Sequence, residues 1–229
     1  MNAEITQDRG ANRKRCVLFD LDGTLYDSPE YSRKVEEEIA RFVSVETHTN
    51  YDDAKLLLEE RRKKLGTLTR SLESLGIDRA KFFECMAARI DPSQYIPKDP
   101  TVPETIAKLR GQRFRVGLVS NSGRPLVKKV LKALQLSEST FDATVTSSDV
   151  RPKPSVEPFL LALKLLNCKA ESAIYVGDRD EAELRPAKEL GIKTILLDRT
   201  GKHSTRWADV VLAELGAIPP IANQLLRTT

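Results

Sequence analysis

Histidine is scarce in this chain: of 229 residues only His48 and His203 carry an imidazole, and neither stands near a serine or cysteine motif. Nucleophilic catalysis built on a histidine base therefore has little material to work with. Cysteine is nearly as rare. Cys16, Cys85 and Cys168 are odd in number and far apart, which argues against a disulfide framework and against the paired spacing of a zinc site. Three buried, reduced thiols are the expectation. No apolar run approaches the ~18 residues of a membrane span, and no basic start leads into a signal-like apolar stretch. A cytoplasmic protein with no membrane partner is expected from that pattern.

Charge of one sign is missing too. Lys and Arg number 37 and Asp and Glu 33, a net charge of only +4. That is far from the polycation a nucleic-acid polymer would recruit. Met1 to Arg15 holds 4 basic and 2 acidic residues, so half of the excess sits at one end. What the chain does have is 40% hydrophobic residues beside 31% charged ones, enough for a substantial core.

Residues 1–14 carry no apolar periodicity and read as a flexible basic tail. Patterned sequence begins at Cys16-Val17-Leu18-Phe19-Asp20, a short continuous apolar run that ends in an acid. Four similar runs follow, Phe114 to Ser120, Ala143 to Thr146, Ala173 to Val176 and Thr194 to Leu197. Apolar at successive positions and rich in Val, Ile and Leu, they predict strands buried on both faces. Helical patterns lie between them, at Pro125 to Leu134, Pro158 to Leu166 and from Pro186 to Leu190 with Gly191 just beyond. Strand alternating with helix implies right-handed crossovers and an α/β fold, a Rossmann-like parallel sheet with helices on both faces. Functional groups then belong at the carboxyl ends of the strands.

Residues 28–97 interrupt the alternation. Ser28-Pro29 reads as an N-cap followed by a first helical residue. Tyr31, Val35 and Ile39 trace one helical stripe, Ala54, Leu57, Leu58 and Leu65 a second, and Phe82, Phe83, Met86 and Ile90 a third. The expected organisation is a core of 15–27 and 98–229 with an all-helical cap, 28–97, inserted after the first strand. Within that insert Arg61-Arg62-Lys63-Lys64 could suggest a nucleic-acid patch. Glu59 and Glu60 lie four residues before Lys63 and Lys64, however, and the segment balances 12 basic against 13 acidic residues. A solvated, ion-paired helix face is the reading.

Phe19-Asp20-Leu21-Asp22-Gly23-Thr24-Leu25 is the most informative stretch. Two acids one residue apart at the end of a buried strand repel each other and call for a cation or a proton. Gly23 lets the backbone turn sharply and a ligand approach. Taken alone, the pair could also just end a strand and cap a turn. Three later features stand in register with it: Ser120-Asn121 closing one apolar run, Lys153 between Pro152 and Pro154, and Gly177-Asp178 closing another. Alone, Ser120 is an ordinary strand-end hydroxyl and Lys153 a solvated lysine.

Together, in this order and over roughly Cys16 to Asp209, these motifs resemble those of the haloacid dehalogenase-like phosphohydrolases. The resemblance implies a Mg²⁺-dependent phosphatase with a helical cap. It assigns Asp20 as the nucleophile that becomes an aspartyl-phosphate, and Asp22 as general acid toward the leaving alcohol and then general base toward water. It gives Mg²⁺ to Asp20, the Asp22 carbonyl and Asp178, and the transferring phosphoryl group to Ser120, Asn121 and Lys153. Where the family carries a second aspartate four or five residues beyond Gly-Asp, this chain has Ala182 and Glu183. Glu183 is the expected replacement, holding metal-bound water or Lys153, with Asp180 as its competitor.

Asp22 speaks against the dehalogenases of the same superfamily, which lack the second acid; a phosphomutase would keep both. A receiver domain of the phosphorylation-switch type is a non-enzymatic alternative, but it is about half this length and has no helical insertion. Lys64-Leu65-Gly66-Thr67-Leu68-Thr69 and Ile90-Asp91-Pro92-Ser93-Gln94-Tyr95 are similar, more loosely, to the pyrimidine 5′-nucleotidase branch. That likeness makes Thr67, Thr69 and Arg70 candidate contacts to the leaving group. It puts nucleoside monophosphates ahead of phosphoglycolate and sugar phosphates as the small-molecule substrate. A monomer or homodimer is expected.

Overall fold

The computed structural model describes residues 14–202 and 204–227. The basic tail expected at 1–14 falls outside these residues except for Lys14, as does His203. Six strands form one sheet: β1 (Arg15–Phe19), β2 (Phe114–Val119), β3 (Ala143–Val145), β4 (Ala173–Gly177), β5 (Lys193–Leu197) and β6 (Val210–Leu212). Their order is β3-β2-β1-β4-β5-β6 and every pairing is parallel.

Strand β1 lies at the centre, and its side chains alternate between two apolar layers. Val17 and Phe19 join one cluster with Ile106, Leu109, Val127 and Leu131. Cys16 and Leu18 join the other with Phe159, Leu163 and Ala187. Burial on both faces explains why the run is apolar at every position. The covering helices are numbered along the chain: α1 (Pro29–Thr47), α2 (Tyr51–Leu65), α3 (Leu68–Ser74), α4 (Arg79–Arg89), α5 (Thr101–Gly111), α6 (Arg124–Ala133), α7 (Glu157–Leu165), α8 (Arg185–Glu189) and α9 (Ile218–Leu225). Helices α5 and α6 belong to the first layer, α7 and α8 to the second.

Helices α1 to α4 fill the interval between β1 and α5, where the sequence predicts helix without strand. Each begins at a side-chain cap: Ser28 accepts from the Tyr31 N–H at 3.2 Å, Asn50 from Asp53, Thr67 from Arg70 and Asp78 from Lys81. Such caps satisfy backbone donors that the helix itself leaves free. Phe82, Phe83 and Met86 of α4 belong to the same apolar cluster as Leu126 and Val130 of α6, so these helices share a core with the sheet layer beneath.

Two expectations need correction. Only Cys16 is buried; Cys85 and Cys168 are half-buried, and all three are free. The basic run is not a uniformly solvated face either. Lys63 and Lys64 are exposed, but Arg62 is half-buried and reaches across to Glu36 of α1 at 2.7 Å.

Candidate active site

Parallel strands end together, so β1, β2 and β4 deliver their next residues to one edge of the sheet. Asp20 follows β1, Ser120 follows β2 and Asp178 follows β4. Gly23 turns the chain back at a φ of 87°, and a Cβ there would lie 2.3 Å from Asp178 Oδ2. A Cβ on Gly177 would lie 2.5 Å from Glu183 Oε2. Both glycines thus make room for a carboxyl group of the site.

Lys153 is the centre of this arrangement. It is 1% exposed, and its Nζ sits 2.5 Å from Asp20 Oδ1, 2.9 Å from Glu183 Oε1, 2.8 Å from the Tyr175 hydroxyl and 3.0 Å from the Val119 carbonyl. A lysine buried this deeply persists as a cation only because it is paired. Burial opposes its charge, but Asp20 and Glu183 outweigh it and raise the pKa above the ordinary lysine value. The backbone of Lys153 is clamped as well: Asn121 Oδ1 accepts from the Lys153 N–H at 2.8 Å, and Asn121 Nδ2 donates to the Lys153 carbonyl at 2.9 Å. The side chain of Asn121 thus fixes the loop that carries the lysine.

Asp22 lives in a different environment. Its oxygens accept from the Tyr26 hydroxyl, from Ser122 Oγ at 2.9 Å and from Ser120 Oγ at 3.4 Å. Burial first, and then repulsion from Asp20, raise its pKa above the ordinary aspartate value. The same two causes push Asp178 up to about 6, and push Glu183 up to about 8 against the opposing pull of Lys153. One oxygen each of Asp20, Asp178 and Glu183 come within 4.8 Å of one another. Asp178 Oδ1 and Glu183 Oε2 are buried and have no hydrogen-bond partner among the described residues. Hard oxygen donors, crowded and unsatisfied, fit an alkaline-earth cation such as Mg²⁺.

Glu183 reaches the site through a π-helical turn, Asp180–Leu184, in which the N–H groups of both Glu183 and Leu184 donate to the Arg179 carbonyl. Single π turns of this kind recur at functional sites. Asp180, its competitor in the sequence, faces elsewhere: it accepts from the Thr205 hydroxyl and from the N–H of Arg206 at 3.0 Å.

A cavity of about 410 Å³ opens above the acids and is shared by the sheet edge and the inserted helices. Asp20, Asp22, Asn121, Lys153 and Glu183 line it from the core side. Thr67 and Thr69 line it from the insert, together with apolar groups such as Val35, Leu68 and Phe83. Arg70 is exposed and not among the lining residues, so the expected triplet of contacts loses one member. Ser120, expected at the phosphoryl group, is buried and not among the lining residues. Its oxygen accepts from the Ser122 N–H at 3.0 Å, and Ser122 lines the cavity.

Tyr26, Tyr31, Tyr175, Ser122 and Arg62 also belong to the site or its walls and are not readable from the motifs. Tyr175 lies inside an apolar strand run, and nothing local distinguishes it from a core aromatic. Arg62 had a signal, the isolated basic run, but its partner Glu36 is 26 residues away.

Residues 17–197 match the family model described as haloacid dehalogenase-like hydrolase. The chain is 33% identical over 190 residues to a phosphoglycolate phosphatase of Aquifex aeolicus, covering 80% of this chain and 84% of that one. It is 31% identical over 224 residues to the pyrophosphatase PpaX of Bacillus anthracis, covering 93% and 98%. Among solved structures, a HAD phosphatase from Thermococcus onnurineus superimposes with a TM-score of 0.69 at 23% identity, over 90% of this chain and 97% of that one. The chain therefore belongs to the haloacid dehalogenase-like hydrolases and is an enzyme of their phosphatase type.

Proposed function

We propose that the protein is a Mg²⁺-dependent phosphomonoester hydrolase that works through an aspartyl-phosphate on Asp20, with residues 28–97 as the cap over its site. The observation that carries this reading is the unequal treatment of two neighbouring acids. Asp20 lies against the buried ammonium of Lys153, whereas Asp22 meets only hydroxyl groups and has a raised pKa. Two neighbouring carboxyl groups with such different partners are suited to two roles, one as nucleophile and one as proton carrier.

In the first step an oxygen of Asp20 bonds to phosphorus as the ester P–O bond breaks. Asp22 gives its proton to the departing alkoxide. In the second step Asp22 takes a proton from water, the water oxygen bonds to phosphorus, and the acyl-phosphate bond breaks to restore Asp20. Lys153 fixes the orientation of Asp20 through Oδ1 and brings positive charge to the site, and Glu183 also holds Lys153. Tyr26 and Ser122 orient the proton-carrying carboxyl group. Asp20, Asp178 and the Asp22 carbonyl are the groups that would hold Mg²⁺, which supplies the charge neutralisation that lets a phosphate dianion approach carboxylates.

Phosphoglycolate and pyrophosphate, named for two of the relatives, are candidate substrates. The cavity is more spacious than either requires, and its far wall mixes apolar groups such as Val35, Ile39 and Phe83 with Glu36, Arg62, Thr67 and Thr69, which favours an ester of a bulkier alcohol with polar groups of its own. Nucleoside monophosphates lead, followed by phosphoglycolate and sugar phosphates. The test is phosphate release from p-nitrophenyl phosphate and from a panel of nucleotides, sugar phosphates, phosphoglycolate and pyrophosphate, with Mg²⁺ and with EDTA. Activity on at least one monoester that EDTA abolishes and Mg²⁺ restores is expected. Undiminished turnover in EDTA, or cleavage of pyrophosphate alone, would contradict the proposal.

A further inference from the structure

One group on the cavity wall has a polar atom that no contact in the fold accounts for. Tyr31, in the first turn of α1, is 2% exposed, and its hydroxyl is buried with no hydrogen-bond partner among the described residues. The ring is held in place. It packs edge-on against Tyr26 with centroids 5.8 Å apart and is tilted against Tyr95 at 6.3 Å, while its own N–H is tied to the Ser28 cap.

Leaving a buried hydroxyl without a partner is unfavourable, and a phenylalanine would fill the same space without that penalty. Tyr31 lines the same cavity as Asp20 and Asp22. The mechanism does not need it to hold Asp22, whose oxygens already accept from Tyr26, Ser122 and Ser120. Burial, and the charge of Asp22, push the phenol well above its ordinary pKa, so the group remains a hydrogen-bond donor throughout the physiological range.

We propose that Tyr31 is a specificity contact whose hydroxyl donates a hydrogen bond to an oxygen on the alcohol half of the substrate, beside the ester oxygen that receives a proton from Asp22. The inference rests on the phosphatase reading above and narrows it. The preferred substrates are phosphate esters whose alcohol carries a hydroxyl, carbonyl or carboxylate oxygen close to the ester carbon, as sugars, nucleosides and hydroxy acids do. Esters of alcohols without such an oxygen are expected to be poorer substrates.

Tyr31→Phe keeps the ring and removes only the hydroxyl. The variant and the wild-type protein are compared with Mg²⁺ on glycerol 1-phosphate, ribose 5-phosphate, a nucleoside monophosphate and 2-phosphoglycolate, and on p-nitrophenyl phosphate, which lacks the neighbouring oxygen. For whichever oxygen-bearing esters the wild-type protein hydrolyses, the variant is expected to lose about 10- to 100-fold in kcat/KM, the loss typical of one missing hydrogen bond to substrate. Its kcat/KM on p-nitrophenyl phosphate is expected within threefold of wild type, and its thermal stability equal or higher. An equal loss on every ester would make Tyr31 a structural residue and overturn the proposal. So would no loss on any ester, or a wild-type protein that cleaves p-nitrophenyl phosphate but none of the oxygen-bearing esters. A wild-type protein that releases phosphate from nothing would overturn the phosphatase reading instead.

Discussion

Replacing Lys153 by methionine keeps most of the side-chain volume and removes one buried positive charge. That charge offsets two buried carboxyl groups at once, Asp20 at 2.5 Å and Glu183 at 2.9 Å. Breaking a buried ion pair by removing one partner costs about 3–5 kcal/mol, because the remaining charge has no compensation. At about 2–4 °C per kcal/mol for a chain of this size, the metal-free melting temperature should fall by roughly 6–20 °C.

The pH dependence has a definite sign. Glu183 and Asp178 are both raised in the folded state, to about 8 and about 6. Over the interval from their unfolded values up to those figures, the folded protein binds more protons than the unfolded one, and stability falls as pH rises. Lys153 restrains both shifts, so its loss should steepen that fall. The measurement is thermal unfolding in EDTA at pH 5.5 and pH 8.5, followed by circular dichroism, for wild type and Lys153→Met. The deficit of the variant should be larger at pH 8.5. A deficit below about 2 °C at pH 8.5, or a larger one at pH 5.5, would refute the electrostatic account of the site, since uncompensated carboxyl groups cost most when ionised.

Three further outcomes follow from the same geometry. Asp22→Asn should lose about 10²–10⁴-fold in kcat on alkyl phosphates, the usual contribution of a positioned proton donor, and much less in the phosphorylation step with p-nitrophenyl phosphate; single-turnover rates on the two ester types check this. Gly23→Ala forces a Cβ to 2.3 Å from Asp178 Oδ2 at a φ of 87°. It should destabilise the fold by about 1–3 kcal/mol and weaken Mg²⁺ binding, as read by urea unfolding and a metal titration of activity. Glu183→Gln should reduce kcat/KM at least tenfold whereas Asp180→Asn should leave it within about threefold, because second-sphere partners of such sites carry that much; equal effects would mean that the π turn does not decide which acid serves the site.

Much of the site is legible in the sequence because three of its residues directly follow buried apolar strands. Asp20, Ser120 and Asp178 inherit their positions from β1, β2 and β4, and parallel pairing brings the strand ends together. The core helices are legible for the same reason, within one residue at either end of α6 and α7. Helices α5 and α9 carry prolines near their starts, which read as punctuation, and β6 is a three-residue edge strand without a buried face. These depend on tertiary packing that local pattern does not express.

Side-chain partners are hidden for a different reason. Tyr26 meets Asp22 because the chain doubles back at Gly23, and Ser122 meets it across 100 residues of sequence. Asn121 reads in the sequence only as a phosphoryl contact, and the grip of its side chain on Lys153, 32 residues away, has no local signal. Arg62 looked solvated because its acidic neighbours on α2 offered nearer partners than Glu36. A motif gives the residue type and its place along the strand, while the direction of its side chain is settled by neighbours from elsewhere in the chain.

The measurement closest to the proposed chemistry is the site of covalent phosphate. Wild-type protein is mixed with a hydrolysed monoester and Mg²⁺, quenched in acid within the first turnover, reduced with borohydride and mapped by mass spectrometry. The expected result is an acyl-phosphate at Asp20, recorded as homoserine at that position and absent from Asp20→Asn, which should also be inactive though folded. Covalent phosphate on any other residue, or full turnover by Asp20→Asn, would contradict the mechanism.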